Sequence, residues 1–467
     1  MTALWAGDDV IGATGGQGPD GWQATGISIN ADDTQPGDLF IAVQGDARTA
    51  FANGAVAALV VEALDDLAQP QIIVADTLAA LDDLARAARF RSAAKIVAVT
   101  GSVGKASTIA MVQVILGGQG ICHARPARYQ NRLDVALWLA TLPPLADYAV
   151  VKIGADQPGD IARLTRLTQP HAALVTRIAP EHLAAFGSLS AIADEKAAIF
   201  QGLAPGGCGV FHGDDQHAKQ MRKSVGRARH LRFGGAGNDW SLQRVKLGEA
   251  VTVVMANGCG QDYLFKLGVP GRHFAMNALG ALAAATAVGA DPVTATLDLA
   301  QWTPPVGRGT RETIVLDPAN DGETLCLIDD ALNANPTSVA TSFEVIASAT
   351  PRNNVGRIVK GRRIAIIGDM ADLGPQSARM HGELAQCDHI QAIDQIHCIG
   401  PQIYHLWRAL PLHQRGQWAQ SAADFAPHVS KLVDAGDVVL VKGAAGSKTF
   451  LVVDAIRKLG HRRPLEE

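Results

Sequence analysis

The 467-residue sequence has few aromatic residues, only 5% of the total, and only 18% are charged. Its formal charge of -4 leaves no excess of either sign, so neither nucleic acid nor an anionic membrane is implied as a partner. No run approaches the ~18 uninterrupted apolar residues that a membrane-spanning helix needs. The N-terminus lacks a signal-peptide pattern, because Asp8 and Asp9 stand where a basic region would precede an apolar run. The six cysteines (Cys122, Cys208, Cys259, Cys326, Cys387 and Cys398) form no CxxC pair, which speaks against a zinc site or a disulfide framework. They read as small buried hydrophobes in a reducing compartment, and the chain as cytoplasmic.

What is present is apolar material, 48% of the chain, enough for several cores and two to four domains. Strand-like runs at Gly26 to Ile29, Asp38 to Val43 and Ala57 to Val61 precede a helical pattern over Leu78 to Phe90. A second unit opens at Lys95 to Thr100 and continues with apolar strands at Tyr148 to Val151, Ala172 to Thr176 and Gly209 to Phe211. An alanine-rich helix, Asn277 to Val288, closes it before Pro304-Pro305. A third set of strands is predicted at Leu325 to Ile328, Arg363 to Ile367, Ile396 to Ile399 and Val438 to Val441. Strand-helix alternation of this kind predicts an α/β fold with parallel sheets covered on both faces. The units are placed at 1–90, 91–311 and 312–467.

The strongest local motif is Val99-Thr100-Gly101-Ser102-Val103-Gly104-Lys105-Ala106-Ser107-Thr108. A strand running through two glycines into Gly-Lys at a helix start is a phosphate-binding recipe (a P-loop): backbone N–H groups converge on the anion and the helix dipole adds to them. Lys105 is placed near the terminal phosphates, with Gly101, Ser102, Gly104 and Ser107 around it. The residue after the lysine should carry a hydroxyl for Mg²⁺, and here it is Ala106, whose methyl cannot ligate a hard cation. Ser107 lies one helical step further, turned about 100° away.

Further motifs narrow the reading. Ala155 to Ile161, Pro180-Glu181-His182-Leu183, Phe186-Gly187-Ser188 and Glu195-Lys196 are followed by Gly271-Arg272-His273, Asn277-Ala278 and Gly307-Arg308-Gly309. Then come Ile328 to Pro336, Gly368-Asp369-Met370, Leu373-Gly374, His381 and Val441-Lys442-Gly443. In order and spacing, from about residue 20 to 455, these resemble the Mur ligases of cell-wall synthesis, in the branch that joins D-alanyl-D-alanine to UDP-N-acetylmuramoyl-tripeptide. The resemblance implies three domains: a small α/β domain for the UDP-sugar, a central P-loop ATPase-like parallel sheet and a C-terminal Rossmann-like domain. It implies ATP as cofactor, and UDP-N-acetylmuramoyl-peptide and D-alanyl-D-alanine as substrates. ATP phosphorylates the terminal carboxylate in that family, and an amine attacks the acyl phosphate. It also assigns Lys105 to the phosphates, His182 to the metal and phosphate, and Lys196 to the position of a carbamylated lysine. Arg308 goes to the γ-phosphate, Asn277 and Asn335 to the adenine region, and Asp330 to the ribose, with Asn333 beside them. Without the family, Lys196 reads as a solvated helical lysine and His182 as a helix-start histidine.

The departures fall on the chemistry. The strand ending Val150-Val151 should deliver a glutamate for Mg²⁺ and instead delivers Lys152, a reversal of charge that repels the cation. Asp156-Gln157 replaces asparagine and histidine, Arg177 a small amide, and Ala331-Leu332 a serine-tyrosine pair. The uracil-site motif becomes Ser28-Ile29-Asn30-Ala31-Asp32-Asp33-Thr34, without its arginine. The sequence therefore predicts a nucleotide pocket with weakened or absent Mg²⁺ binding and catalysis impaired or lost. Such a pseudoenzyme would serve as a binding or scaffolding protein with a protein partner. The alternative is a fully active ligase with an unusual metal site or altered substrate.

Overall fold

A computed structural model describes residues 3–124 and 132–463. The N-terminal sheet has four parallel strands in sequence order, β1 (Gly26–Asn30), β2 (Asp38–Gln44), β3 (Ala57–Val60) and β4 (Gln71–Ile73). Helix α1 (Thr77–Arg91) follows, and the Asp76 carboxylate caps it by accepting from the N–H groups of Leu78 and Ala79.

Among the described residues the central sheet has nine strands: β5 (Lys95–Thr100), β6 (Cys122–Ala124), β7 (Tyr148–Lys152), β8 (Ala172–Val175), β9 (Cys208–His212), β10 (Arg229–Gly234), β11 (Trp240–Leu247), β12 (Thr252–Gly258) and β13 (Gln261–Leu267). Their spatial order is β13-β12-β11-β10-β9-β8-β5-β7-β6. Strand β5 lies between β8 and β7, and residues Ile96 to Thr100 are buried because both faces are covered. This position brings the C-terminal ends of β5, β7 and β8 to one edge, where open α/β sheets bind ligands. Three helices carry the residues used below: α2 (Lys105–Gly117), α3 (Leu189–Ala197) and α4 (Arg272–Ala287).

The C-terminal sheet contains β14 (Thr310–Val315), β15 (Thr324–Asp330), β16 (Arg363–Gly368), β17 (Gln395–Ile399), β18 (Arg415–Ala419), β19 (Val438–Lys442) and β20 (His461–Arg462), in the order β18-β17-β16-β19-β15-β14-β20. Helix α5 (Pro336–Ala347) follows β15, with Asn335 and Ser338 forming a reciprocal capping box and Pro336 in its first turn. Among the described residues no helix is long and apolar enough to cross a membrane.

The parallel α/β prediction holds for the strands that matter to the site. It misses an antiparallel meander, β11 to β13, whose alternating burial (Val254 and Ala256 in, Val253 and Met255 out) is that of a sheet with one wet face. Helix α4 also starts at Arg272, five residues before the predicted Asn277, because Gly271 supplies the break.

Helix α6 (Phe450–Arg457) is tied to β14 and β15 by Arg457, whose guanidinium donates to Glu312 and, at 2.9 Å, to Asp329. Asp329 is 5% exposed and loses its ion-pair partner when the cation is removed, whereas Glu312 keeps Arg462 at 2.8 Å. R457A is expected to cost about 3 kcal/mol. It should lower the urea midpoint of the C-terminal unit; an unchanged midpoint would contradict this.

Candidate functional site

The loop after β5 is held open by its surroundings. Gly101 has φ 136°, and a Cβ there would lie 2.0 Å from Thr176 Oγ1. Gly104 has φ 87°, and a Cβ there would lie 2.6 Å from Asn277 Oδ1. Only glycine satisfies both the backbone angle and the space. Ser102 N–H donates to Arg177 O at 2.7 Å, and Thr176 Oγ1 donates to Val103 O at 2.7 Å, so the end of β8 pins the loop. Helix α2 then begins at Lys105 with no side-chain cap on its first N–H groups.

Lys105 folds back over the loop. Its ammonium donates to the carbonyls of Gly101 and Ser102 and to both carboxylate oxygens of Glu181, at 3.1 and 3.2 Å. Lys196, from α3, approaches the same carboxylate at 3.8 Å. The three side chains are 9%, 3% and 12% exposed for Lys105, Lys196 and Glu181. Burial alone would raise the Glu181 pKa, but Lys105, Lys196 and His182 outweigh it and leave the carboxyl below its usual range. Lys196 is pushed down to about 8, first by burial and then by Lys105, against the pull of Glu181, Glu195 and Asp156.

Lys152, at the end of β7, faces the same cluster. Burial, then Lys105, Arg308 and Lys196 push it down to about 7, with Glu181 the opposing charge. Arg308 also lines the cleft; its buried Nε has no hydrogen-bond partner among the described residues, and burial lowers its pKa. Four cationic side chains therefore surround one carboxylate.

The opposite wall comes from the C-terminal unit. Asp330, at the end of β15, accepts from Lys442 Nζ and Ser342 Oγ, each at 2.7 Å, while Lys442 also donates to Asn333 O at 3.0 Å. Lys442 is fully buried, and that burial lowers its pKa despite Asp330. Asn335 is buried as the cap of α5. Phe233, Phe274 and Val345 supply an apolar end, which the His273 ring adjoins at Phe274.

Ser102, Gly104, Lys105, Ser107, Asn277, Arg308, Asp330, Asn333 and Asn335 thus line one cleft between the central and C-terminal units, together with Ala106 and Lys152. Gly101 lies behind it as the loop's anchor, and Lys196 reaches it through Glu181. Lys196 is a buried residue, not a solvated helical lysine. His182 stands beside the cleft in a left-handed conformation (φ 52°), its Nδ1 3.2 Å from Asp372 Oδ2 in the C-terminal unit. Glu181 carried no role in the sequence, although its place next to His182 and between two lysine-bearing segments was the available signal. Glu195 was also missed: its carboxylate accepts from Gly159 and Ile161 N–H at 2.7 and 2.9 Å, holding the turn after β7.

The donor set does not fit Mg²⁺. The cation needs oxygen ligands, whereas Ala106 offers a methyl, Lys152 an ammonium, and the Glu181 carboxylate is already paired with two lysines. Among the described residues no group of three or more His, Cys, Asp and Glu side chains is arranged to hold a metal ion. In the N-terminal unit the altered motif closes on itself, with Ser28 Oγ 2.9 Å from Thr34 Oγ1 and Asn30 donating to Asp33 at 3.0 Å.

Known proteins share this plan. A family model described as the Mur ligase middle domain matches residues 99–285, and one described as the Mur ligase glutamate ligase domain matches residues 318–445. The chain is 32% identical over 440 residues to the UDP-N-acetylmuramoyl-tripeptide–D-alanyl-D-alanine ligase of Escherichia coli (strain K12), a match spanning 91% of this chain and 92% of that one. The corresponding ligase of Bacillus subtilis (strain 168) is 28% identical over 445 residues, 92% of each chain. A crystal structure of MurF from Acinetobacter baumannii superposes with a TM-score of 0.83 at 24% identity, covering 97% of this chain and 99% of that one. The MurF ligase of Thermotoga maritima in complex with ADP gives 0.76 at 23% identity, covering 93% and 97%. These structural likenesses show a shared three-domain fold.

The depressed lysines make binding proton-linked. Between their lowered values and the ordinary 10.5, the unfolded chain binds more protons at Lys152 and Lys196 than the folded one. The fold is therefore weakened as pH falls through this window. A polyphosphate in the cleft raises both values, so ADP binding near pH 7.5 should take up protons. Calorimetry in two buffers of different ionisation enthalpy should give different apparent enthalpies, and K152M should remove most of the difference. Equal enthalpies for the unaltered protein would contradict the assignment.

Proposed function

The chain belongs to the Mur ligase family, and from that premise we propose that it is a nucleotide-binding member of the D-alanyl-D-alanine-adding branch whose ligase reaction is impaired or lost. The units 1–90, 91–311 and 312–467 correspond in this reading to the UDP-sugar, ATP and lid domains. The nucleotide lies between the central and C-terminal units, its phosphates on the loop N–H groups and Arg308, with Lys105 beside them. Its base is directed to the apolar end beside Asn277 and Asn335, and its ribose toward Asp330.

The single observation that carries the impairment is the reversed charge at the end of β7. Phosphoryl transfer to a carboxylate brings two anionic groups together, and in this family Mg²⁺ supplies the Lewis acid that offsets their charge. Lys152 presents a positive charge there without a coordination site. It can attract phosphate, but it cannot hold phosphate and acceptor oxygens on one centre. Binding is thereby retained while positioning of the reacting oxygens is weakened. The self-paired Ser28 to Thr34 turn supports a weakened UDP site as well. UDP-N-acetylmuramoyl-tripeptide and D-alanyl-D-alanine remain the substrates against which this reading is to be tested, and a protein partner is the expected user of a non-catalytic form.

Incubation of the purified protein with ATP, Mg²⁺, UDP-N-acetylmuramoyl-tripeptide and D-alanyl-D-alanine should yield little or no ADP and no joined product. Turnover at roughly 1 s⁻¹ or faster, an ordinary enzymatic rate, would establish the active-ligase alternative. The double substitution K152E with A106T should restore Mg²⁺-dependent nucleotide binding, read by calorimetry with and without the metal; no change in metal dependence would count against the site assignment.

A further inference from the structure

Lys105 is the loop lysine, the group that reaches the terminal phosphates of a bound nucleotide. Here it already holds an anion, because both oxygens of Glu181 lie 3.1 and 3.2 Å from its ammonium. Lys196 is 3.8 Å from the same carboxylate, and the charges of Lys152 and Arg308 act on the same space. The carboxylate belongs to the chain, is 12% exposed, and lines the cleft wall. Its near partners are the loop lysine and Lys196, and Lys152 and Arg308 add positive charge at longer range.

Resting on the nucleotide reading above, we propose that Glu181 is a specificity-determining residue that stands in for the terminal phosphate, so that the cleft selects a nucleoside diphosphate over a triphosphate.

Two physical arguments support this. A γ-phosphate would have to enter beside a buried carboxylate of like charge, and such a pair is repulsive at short range in a low-dielectric site. It would also have to take Lys105 from Glu181, leaving that carboxylate buried with Lys196 as its remaining partner. A diphosphate makes neither demand. Its two phosphates occupy the loop N–H groups, Arg308 and Lys152, while the Lys105–Glu181–Lys196 contacts stay in place. The single negative charge of Glu181 leaves the other cations to match the diphosphate. The selection is therefore electrostatic, set by the position of one side chain.

The test is calorimetric titration of the full chain with ADP and with ATP, both in EDTA, for the unaltered protein, E181Q and E181D. The unaltered protein should bind ADP at least about tenfold more tightly than ATP, a gap of about 1.4 kcal/mol. E181Q keeps the shape and removes the charge, and should erase or reverse that preference by strengthening ATP binding. E181D keeps the charge and should keep the preference for ADP. Equal or tighter ATP binding by the unaltered protein would overturn the proposal, as would an unchanged ADP-to-ATP ratio in E181Q. A merely structural Glu181 would weaken both nucleotides together in E181Q, which is the same contradiction. Binding of neither nucleotide to the unaltered protein would instead overturn the nucleotide reading on which the proposal rests, so the two failures are told apart.

Discussion

Four cationic side chains crowd around one carboxylate at the C-terminal edge of the central sheet, and the rest of the site is arranged by that crowding. Lys105, Lys152, Lys196 and Arg308 cannot all be charged at close quarters without a counter-charge. Glu181 supplies one negative charge and is held below its usual pKa for that reason. The excess shows in Lys152 and Lys196, which are pushed down to about 7 and 8. The cluster carries more positive than negative charge. A polyanion completes it, and a divalent cation worsens it.

The fold explains why this strain is tolerable. The lysines stand on elements that are otherwise well packed: β7 is an inner strand of a sheet covered on both faces, and α2 and α3 are buried along much of their length. The loop is fixed by contacts that do not involve phosphate, through Thr176, Arg177 and Asn277. The C-terminal unit closes the other side with its own satisfied network around Asp330 and Lys442. Contacts such as His182 to Asp372 join the two units directly. Local charge imbalance is thus confined to a cleft whose walls do not depend on resolving it.

Much of this was legible in the sequence, for identifiable reasons. Buried parallel strands such as Lys95 to Thr100 announce themselves as apolar runs, and the glycines at 101 and 104 mark a loop whose geometry no other residue can adopt. Arg308 between two glycines was assigned to the nucleotide by the resemblance, and it lines the cleft. The meander β11 to β13 was not legible, because its alternating pattern competes with helical spacing over short windows. Neither was Glu181. A lone glutamate is ordinarily a solvated residue; only the fold brings it against Lys105 from one segment and Lys196 from another. Lys152 could be identified as misplaced, but its company could not. Pairings between distant segments are what sequence spacing leaves open.

The central claim is that positive side chains, not a bound metal, provide the charge that receives the nucleotide. The most direct measurement is the affinity of the unaltered protein for ADP as Mg²⁺ is raised from none, in EDTA, to saturating concentration. The account predicts that affinity is unchanged or falls with added Mg²⁺, since the metal competes with the lysines for the same phosphates. A tightening of about tenfold or more on adding Mg²⁺ would show that the cleft binds the metal complex, and would contradict it.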